Sequence, residues 1–312
     1  MRFLGLVLAA LFLMFAYWYL SNQEPKYIRK LTQTRIDIPP QFLGEILGGQ
    51  NGTLSKPLDV AANSSGKIYI TDSGHDRIQV FSSTGSPLFT FGKSGKANGH
   101  FNFPNAIAID DEDNVYVAEF KNNRIQVFDS KGKYLRTITS PNKALFEPLA
   151  MTFGNDKSLY VASRTGAIII MSKTGKLIAT FGTNGADVGQ LSYPNGIDVD
   201  RHGNIIVSDS GNARIQIFDK KGQVLKLLQQ PQFKVSVPRG VTVDDKDRLY
   251  VVDIFQHKVV VYDKDYKYLF EIGGRGLEKD KGKFNFPNGI GWKDDKVYIT
   301  DRENNRVQVF NY

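Results

Sequence analysis

Six prolines, Pro57, Pro104, Pro148, Pro194, Pro238 and Pro287, recur every 44–49 residues, and each opens a copy of the same unit. A fixed period of this length constrains a chain more than any composition does. One unit cannot bury its own apolar face, so the copies must stack on one another. After each proline comes an apolar strand ("PLDVAAN", "PNAIAID", "PLAMTFG", "PNGIDVD", "PRGVTVD", "PNGIGWK"), then in most copies a turn rich in Gly, Asp, Asn or Lys. A second strand follows ("IYITD", "VYVAE", "LYVAS", "IIVSD", "LYVVD", "VYITD"). A third carries the phrase Arg-Ile-Gln-Val-Phe or a variant of it, and a fourth reads "PLFTFG", "YLRTIT", "LIATFG" or "YLFEIG". Short strands joined by short turns pair as antiparallel meanders. Four strands repeated six times predict an all-β, six-bladed β-propeller with four antiparallel strands per blade.

The strand count gives a check. The sixth copy ends at Tyr312, just after its third strand, and lacks a fourth. The segment "FLGEILGG" (42–49) matches the missing strand at the other end of the chain. The expectation is that 42–49 completes the last blade and closes the ring, removing the open sheet edges that would seed aggregation. Three regions follow: a hydrophobic helix over 1–20, a polar stalk over 21–41 ending at Pro39-Pro40, and the propeller over 42–312.

Residues 3–20 ("FLGLVLAALFLMFAYWYL") contain no charge and would just span a hydrocarbon core as a helix, with Tyr17, Trp18 and Tyr19 at an interface. "YLSNQEP" is a poor signal-peptidase site, so an uncleaved anchor is expected in preference to a signal peptide. Counted strictly, Lys26, Arg29, Lys30 and Arg35 after the span outnumber Arg2 and the amino terminus before it, which would place the body in the cytoplasm. A one-charge tail before an apolar run is the usual start of an exported chain, and a single-pass membrane protein with an extracytoplasmic propeller is the expectation.

The net charge of +8 is uneven: residues 1–41 hold +3 and the rest +5, with no basic block. A nucleic-acid partner is therefore not expected. The absence of cysteine excludes disulfides, thiol nucleophiles and Cys-ligated zinc.

"FGKSGKANGHFNFPNAIAIDDEDNVYVAEFKNNRIQVFDSKGK" (91–133) and "FGTNGADVGQLSYPNGIDVDRHGNIIVSDSGNARIQIFDKKGQ" (181–223) resemble the NHL repeat, and the likeness extends over about 42–312. The resemblance implies a six-bladed propeller. It implies less about activity, because such propellers serve as protein-binding, RNA-binding and sensor domains and, less often, as enzymes.

The second strand ends in an acid in five copies, followed five residues later by a base: Asp72 and Arg77, Glu119 and Arg124, Asp209 and Arg214, Asp253 and Lys258, Asp301 and Arg306. Copy three has Ser163 and Ala167 instead. Near-perfect repetition points to a scaffold device: an acid that caps loop amides and pairs with the base of its own blade. Sites break symmetry, so the candidates are departures from the repeat on the loop after the second strand. Where two copies read Ser-Gly, others read Phe120-Lys121, Arg164, Ile254-Phe255 and Arg302. With Arg239 and His257 these compose a candidate ligand-binding face, since aromatics beside arginines are the usual make-up of a binding hot spot.

No paired-histidine motif, nucleophile elbow or phosphate loop is present, so no cofactor and no catalytic set is expected. The function expected is a binding, scaffold or sensor module for a protein, peptide or glycan. The alternatives are a metal-dependent propeller lyase or hydrolase using the His75/His257 face, and an RNA-binding propeller should the body be cytoplasmic.

Overall fold

The computed structural model describes residues 38–49, 51–139 and 146–312. The expected anchor and nearly all of the stalk lie outside the described residues. Among the described residues, no helix is long and apolar enough to cross a membrane.

Six four-stranded antiparallel sheets follow one another along the chain. From inner to outer strand, blade 1 is Val60–Ala62, Ile68–Asp72, Arg77–Phe81 and Pro87–Phe91. Blade 2 is Pro104–Ile109, Val115–Glu119, Arg124–Phe128 and Tyr134–Ile138, and blade 3 is Pro148–Phe153, Leu159–Ser163, Ile168–Met171 and Leu177–Phe181. Blade 4 is Pro194–Val199, Ile205–Asp209, Arg214–Phe218 and Val224–Gln229; blade 5 is Pro238–Val243, Leu249–Asp253, Lys258–Tyr262 and Tyr268–Gly273.

Blade 6 takes Pro287–Lys293, Lys296–Asp301 and Arg306–Asn311 from the end of the chain and its outer strand, Gln41–Ile46, from the beginning. Ile46 faces Val307 and Gln41 faces Asn311. The closing strand is shorter than the expected 42–49. Gly48 turns away at φ +138°, and Gly48–Gly49 pairs instead with Gly52–Thr53. A side chain at Gly48 would strike the Thr53 backbone at 2.5 Å, so only glycine allows this turn.

Among the described residues the buried apolar side chains divide into six clusters, and each lies between two neighbouring blades. Tyr69, Val80, Phe101, Ile107 and Phe128 fill the space between blades 1 and 2; Ile46, Val60, Phe81, Tyr298 and Val309 fill that between 6 and 1. The second strands of blades 1 to 5 are therefore buried along their whole length, as every residue of Val115–Glu119 is, and that of blade 6 is buried after Lys296. A strand covered on both faces needs apolar residues at both parities, as "VYVAE" supplies. Burial of each such side chain stabilises the fold by roughly 1.5–3 kcal/mol.

The Arg-x-Gln of the third strand has a role that its spacing alone does not reveal. In blade 2, Gln126 accepts the Gly99 N–H at 2.8 Å and donates to the His100 carbonyl and to Glu119. Arg124 donates to the carbonyls of Lys96, Ala97 and His100. Together they grip the loop arriving from the previous blade. Gln79, Gln216 and Gln308 make the same bonds in blades 1, 4 and 6.

The acid–base pairs form at 2.6–2.7 Å in four blades: Asp72–Arg77, Glu119–Arg124, Asp209–Arg214 and Asp301–Arg306. Each acid also caps a backbone amide two residues before the inner-strand proline of its own blade, as Glu119 does for Asn102, ahead of Pro104. Blade 5 departs from the expectation. Lys258 pairs with Glu271 of the outer strand at 2.9 Å, not with Asp253. Asp253 instead accepts from Ser236, through its N–H and hydroxyl, and from the Gln256 N–H. Blade 5 has Val260 where blades 1, 2, 4 and 6 have glutamine, so the buried network that holds the base over the acid in those blades is absent.

Candidate functional site

The inner strands of all six blades surround a central cavity of about 600 Å³. Its wall is mostly small or apolar (Ala61, Ala108, Ile107, Ile197, Gly240, Gly291) because neighbouring inner strands approach closely. A Cβ at Gly196 would meet the Arg239 carbonyl oxygen at 2.2 Å, and one at Gly289 would meet the Leu58 carbonyl oxygen at 2.4 Å.

Two carboxylates interrupt this wall, on blades 1 and 4. Asp59 accepts the N–H of Val60 and, across the blade boundary, that of Ile107, each at 2.9 Å. Burial pushes its carboxyl up to about 7, against the pull of those two amides. Asp198 accepts the hydroxyls of Thr152 and Thr242 and the amides of Val199 and Val243, so it stitches blades 3, 4 and 5 together. Burial raises its carboxyl above the usual range as well. Neither residue is among the departures from the repeat on the loop after the second strand. Their signal was present, since an acid inside an otherwise apolar strand is visible in "PLDVAAN" and "PNGIDVD".

The rim where the inner strands begin carries the cations. Lys56, Arg239 and Arg302 line the cavity there with the aromatic rings of Phe103 and Phe120. Three of the eight residues singled out from sequence, Phe120, Arg239 and Arg302, thus come together on the channel mouth. Arg164 stands behind them: its guanidinium lies 5.6 Å from the Phe120 ring and forms two hydrogen bonds to Glu147. Lys121 lies 5.0 Å over Phe103.

The remaining three do not join. Ile254 is buried, only 3% exposed, and so is not an exposed contact. It stands where Ser73 and Ser210 donate their hydroxyls to the carbonyls of Pro104 and Pro238, and an apolar side chain there packs inward instead. Phe255 is 62% exposed and packs edge-on against Phe286, away from the cavity lining.

His257 is buried too, and its Nδ1 accepts the Phe286 N–H at 3.0 Å. The same inter-blade bond is made by Asp76 to Phe103, Asn123 to Glu147 and Asn305 to Lys56. His257 therefore fills a repeated structural position rather than a ligand-facing one. Burial first, and the Arg275 charge second, hold its imidazole below the ordinary histidine value. His75, on the same face, rests its Nδ1 against Asp72 at 3.1 Å. Among the described residues, no three His, Cys, Asp or Glu side chains gather as a metal-binding set.

Residues 60–165 match the SMP-30/Gluconolactonase/LRE-like region, and residues 191–218 and 284–310 match the NHL repeat. The chain is similar to the protein brain tumor of Drosophila melanogaster, with 33% identity over 133 residues, covering 41% of this chain and 12% of that protein. It is also similar to a probable peptidyl-alpha-hydroxyglycine alpha-amidating lyase of Caenorhabditis elegans, with 27% identity over 169 residues, covering 51% of this chain and 46% of the relative. The chain thus spans less than half the length of either relative.

Among solved structures, a streptogramin B lyase superposes with a TM-score of 0.60 at 18% identity, covering 82% of this chain and 79% of the other. A catalytically inactive virginiamycin B lyase from Staphylococcus aureus with quinupristin also gives 0.60, at 15% identity, covering 83% and 81%. At such identities the likeness is one of fold. The chain is a six-bladed β-propeller that carries NHL repeats together with an SMP-30/gluconolactonase/LRE-like region.

Proposed function

We propose that the propeller is a binding module. It takes a protein, peptide or glycan partner on the face where the channel opens between Phe103, Phe120, Arg239 and Arg302, and residues 3–20 hold it at a membrane with the propeller on the outer side. The observation that carries the binding reading is that repeat-breaking residues converge on one concave rim. Phe120 and Arg302 stand where blades 1 and 4 place a serine that only ties strands together. Aromatic rings flanked by guanidinium groups around a cavity of this size are what a ligand site needs: apolar area with a few charged groups to orient the partner.

Phe120→Ala, Arg164→Ala and Arg302→Ala combined test this reading. Partners cross-linked to the wild-type chain in membrane fractions should disappear with the triple variant. Equal recovery from both would reject this face. A reporter fused after Tyr312 and assayed on both sides of the membrane tests the topology; a cytoplasmic signal would reject the exported arrangement.

A second reading, catalysis by a lyase- or hydrolase-type reaction, has one observation in its favour. Asp59 faces the channel with its carboxyl poised near neutrality, which suits proton transfer. Metal analysis of the purified chain, with an activity assay on Asp59→Asn, separates the two. Stoichiometric zinc or calcium together with a turnover that depends on Asp59 would favour the enzyme.

A further inference from the structure

At the second position of the inner strand the blades carry Leu58, Asn105, Leu149, Asn195, Arg239 and Asn288. Asn105 donates to the carbonyls of Pro148 and Leu149, and Asn288 to that of Leu58, so in those blades the side chain fastens one blade to the next. Arg239 does not: its Nε is buried and has no hydrogen-bond partner. Its surroundings disfavour its charge, first through burial and then through the like charge of Arg302. Arg302 has an acid of its own, the adjacent Glu303 at 2.8 Å. Lys56 adds a third cation to the rim.

A half-buried guanidinium with a donor left unpaired and a like charge beside it destabilises the empty site. An oxyanion would relieve both terms at once, and the planar fork of arginine suits two oxygens of one carboxylate or phosphate. The rings of Phe103 and Phe120 line the same mouth and are each backed by a cation, Lys121 and Arg164. They supply flat apolar walls of fixed orientation next to the charge.

Resting on the binding reading above, we infer that the channel mouth is an oxyanion site. A carboxylate or phosphate of the ligand sits on Arg239 and Arg302, its apolar or aromatic body lies against Phe103 and Phe120, and the channel takes what extends below. The anion is the specific element, and the rest of the face adds contact area.

Three probes of similar size test this by calorimetry and thermal unfolding at low salt: phenylacetate, phenyl phosphate and neutral 2-phenylethanol. At least one anion should bind the wild-type chain and raise its Tm, while the alcohol does neither. The better anion tells whether a carboxylate or a phosphate is the natural group. Arg239→Asn places at this position a residue that three other blades already carry, so the fold accommodates it. It should raise the Tm of the ligand-free protein, because an unpaired charge is removed, and weaken anion binding at least tenfold.

No anion binding to the wild-type chain would overturn the inference, as would equal binding to Arg239→Asn or equal binding of the alcohol. The two readings fail separately. Partner capture that the triple rim variant abolishes, with no anion binding, overturns the oxyanion site and leaves the binding face standing. Anion binding lost in Arg239→Asn, with capture indifferent to the rim variant, does the reverse.

Discussion

Arg306 donates from Nη1 to Glu45 at 2.8 Å across a sequence separation of 261 residues. The same guanidinium bonds Asp301 at 2.7 Å and the carbonyls of Glu278, Asp280 and Lys283, and its side chain is wholly buried. One side chain thus joins the first strand of the ring, the last blade and the loop that leads into it.

Arg306→Ala should therefore be among the most damaging single substitutions. It leaves Asp301 buried without its charged partner and takes a donor from the carbonyls of Glu278, Asp280 and Lys283, a loss of about 3–5 kcal/mol. Glu45→Ala removes only the partly exposed partner and should cost about 1 kcal/mol or less. Denaturant unfolding of both variants and of the double variant measures this; a cost for Arg306→Ala as small as that for Glu45→Ala would refute the buried-hub account.

His257 accepts an amide through Nδ1, so it must be neutral there, and its folded pKa lies below the ordinary 6.5. Asp301 and Asp253 pull the other way, but burial and Arg275 prevail. Below 6.5 the unfolded chain takes up a proton that the folded chain resists. Stability from this group is thus complete above 6.5 and declines as pH falls through the lower folded value. His257→Asn keeps an acceptor, as Asn123 and Asn305 do at equivalent positions, and removes the titration. Thermal unfolding between pH 7 and pH 5 should show a loss on the order of 1 kcal/mol in the wild-type chain that is absent from the variant.

Asp59 behaves in the opposite sense. Its carboxyl is raised from 3.8 to about 7, so the folded chain binds the proton more tightly. The stability this confers is present below about pH 4 and is lost as pH rises through about 7. Asp59→Asn does not titrate. Its stability relative to the wild-type chain should rise by roughly 2 kcal/mol from pH 4 to pH 8, less than full desolvation would give because the carboxyl opens on the channel. A difference flat in pH would show that the carboxyl titrates normally.

Gly196→Ala should cost about 1–3 kcal/mol, because its methyl group meets the Arg239 carbonyl at 2.2 Å and the inner strands of blades 4 and 5 must separate. Gly44→Ala, with nothing within 4 Å, is the control and should be close to neutral. Because the clash falls on Arg239 itself, Gly196→Ala should also weaken ligand binding at the rim.

The period of the prolines carried the blade count, the strand order and the closing strand, because each is a property of the repeat. Pairing partners were legible only where the whole local network repeats. Asp72–Arg77 follows from spacing, but Lys258 takes Glu271 because the glutamine of the phrase is replaced by Val260. The rim was legible in part. Phe120, Arg239 and Arg302 break the pattern and face the channel, whereas Ile254 and His257 break it and turn inward. Which way such a residue points is decided by the neighbouring blade, some 27–29 residues along, and a single strand's sequence does not encode that. Asp59 and Asp198 are not legible from the repeat for the converse reason: the acids that repeat are scaffold, and these two occur where other blades have alanine, glycine or threonine.

The closing strand also sets a clock on biosynthesis. Gln41–Ile46 leaves the ribosome first, yet its hydrogen-bonding partner, Arg306–Asn311, is made some 261 residues later. At 5–20 residues per second the gap is about 13–50 s, during which five blades can assemble while this strand stays an open edge. The most sequence-distant pairing in the fold is thus the last to form. Until Arg306–Asn311 is made, that short, glycine-interrupted strand has no partner in the sheet it completes.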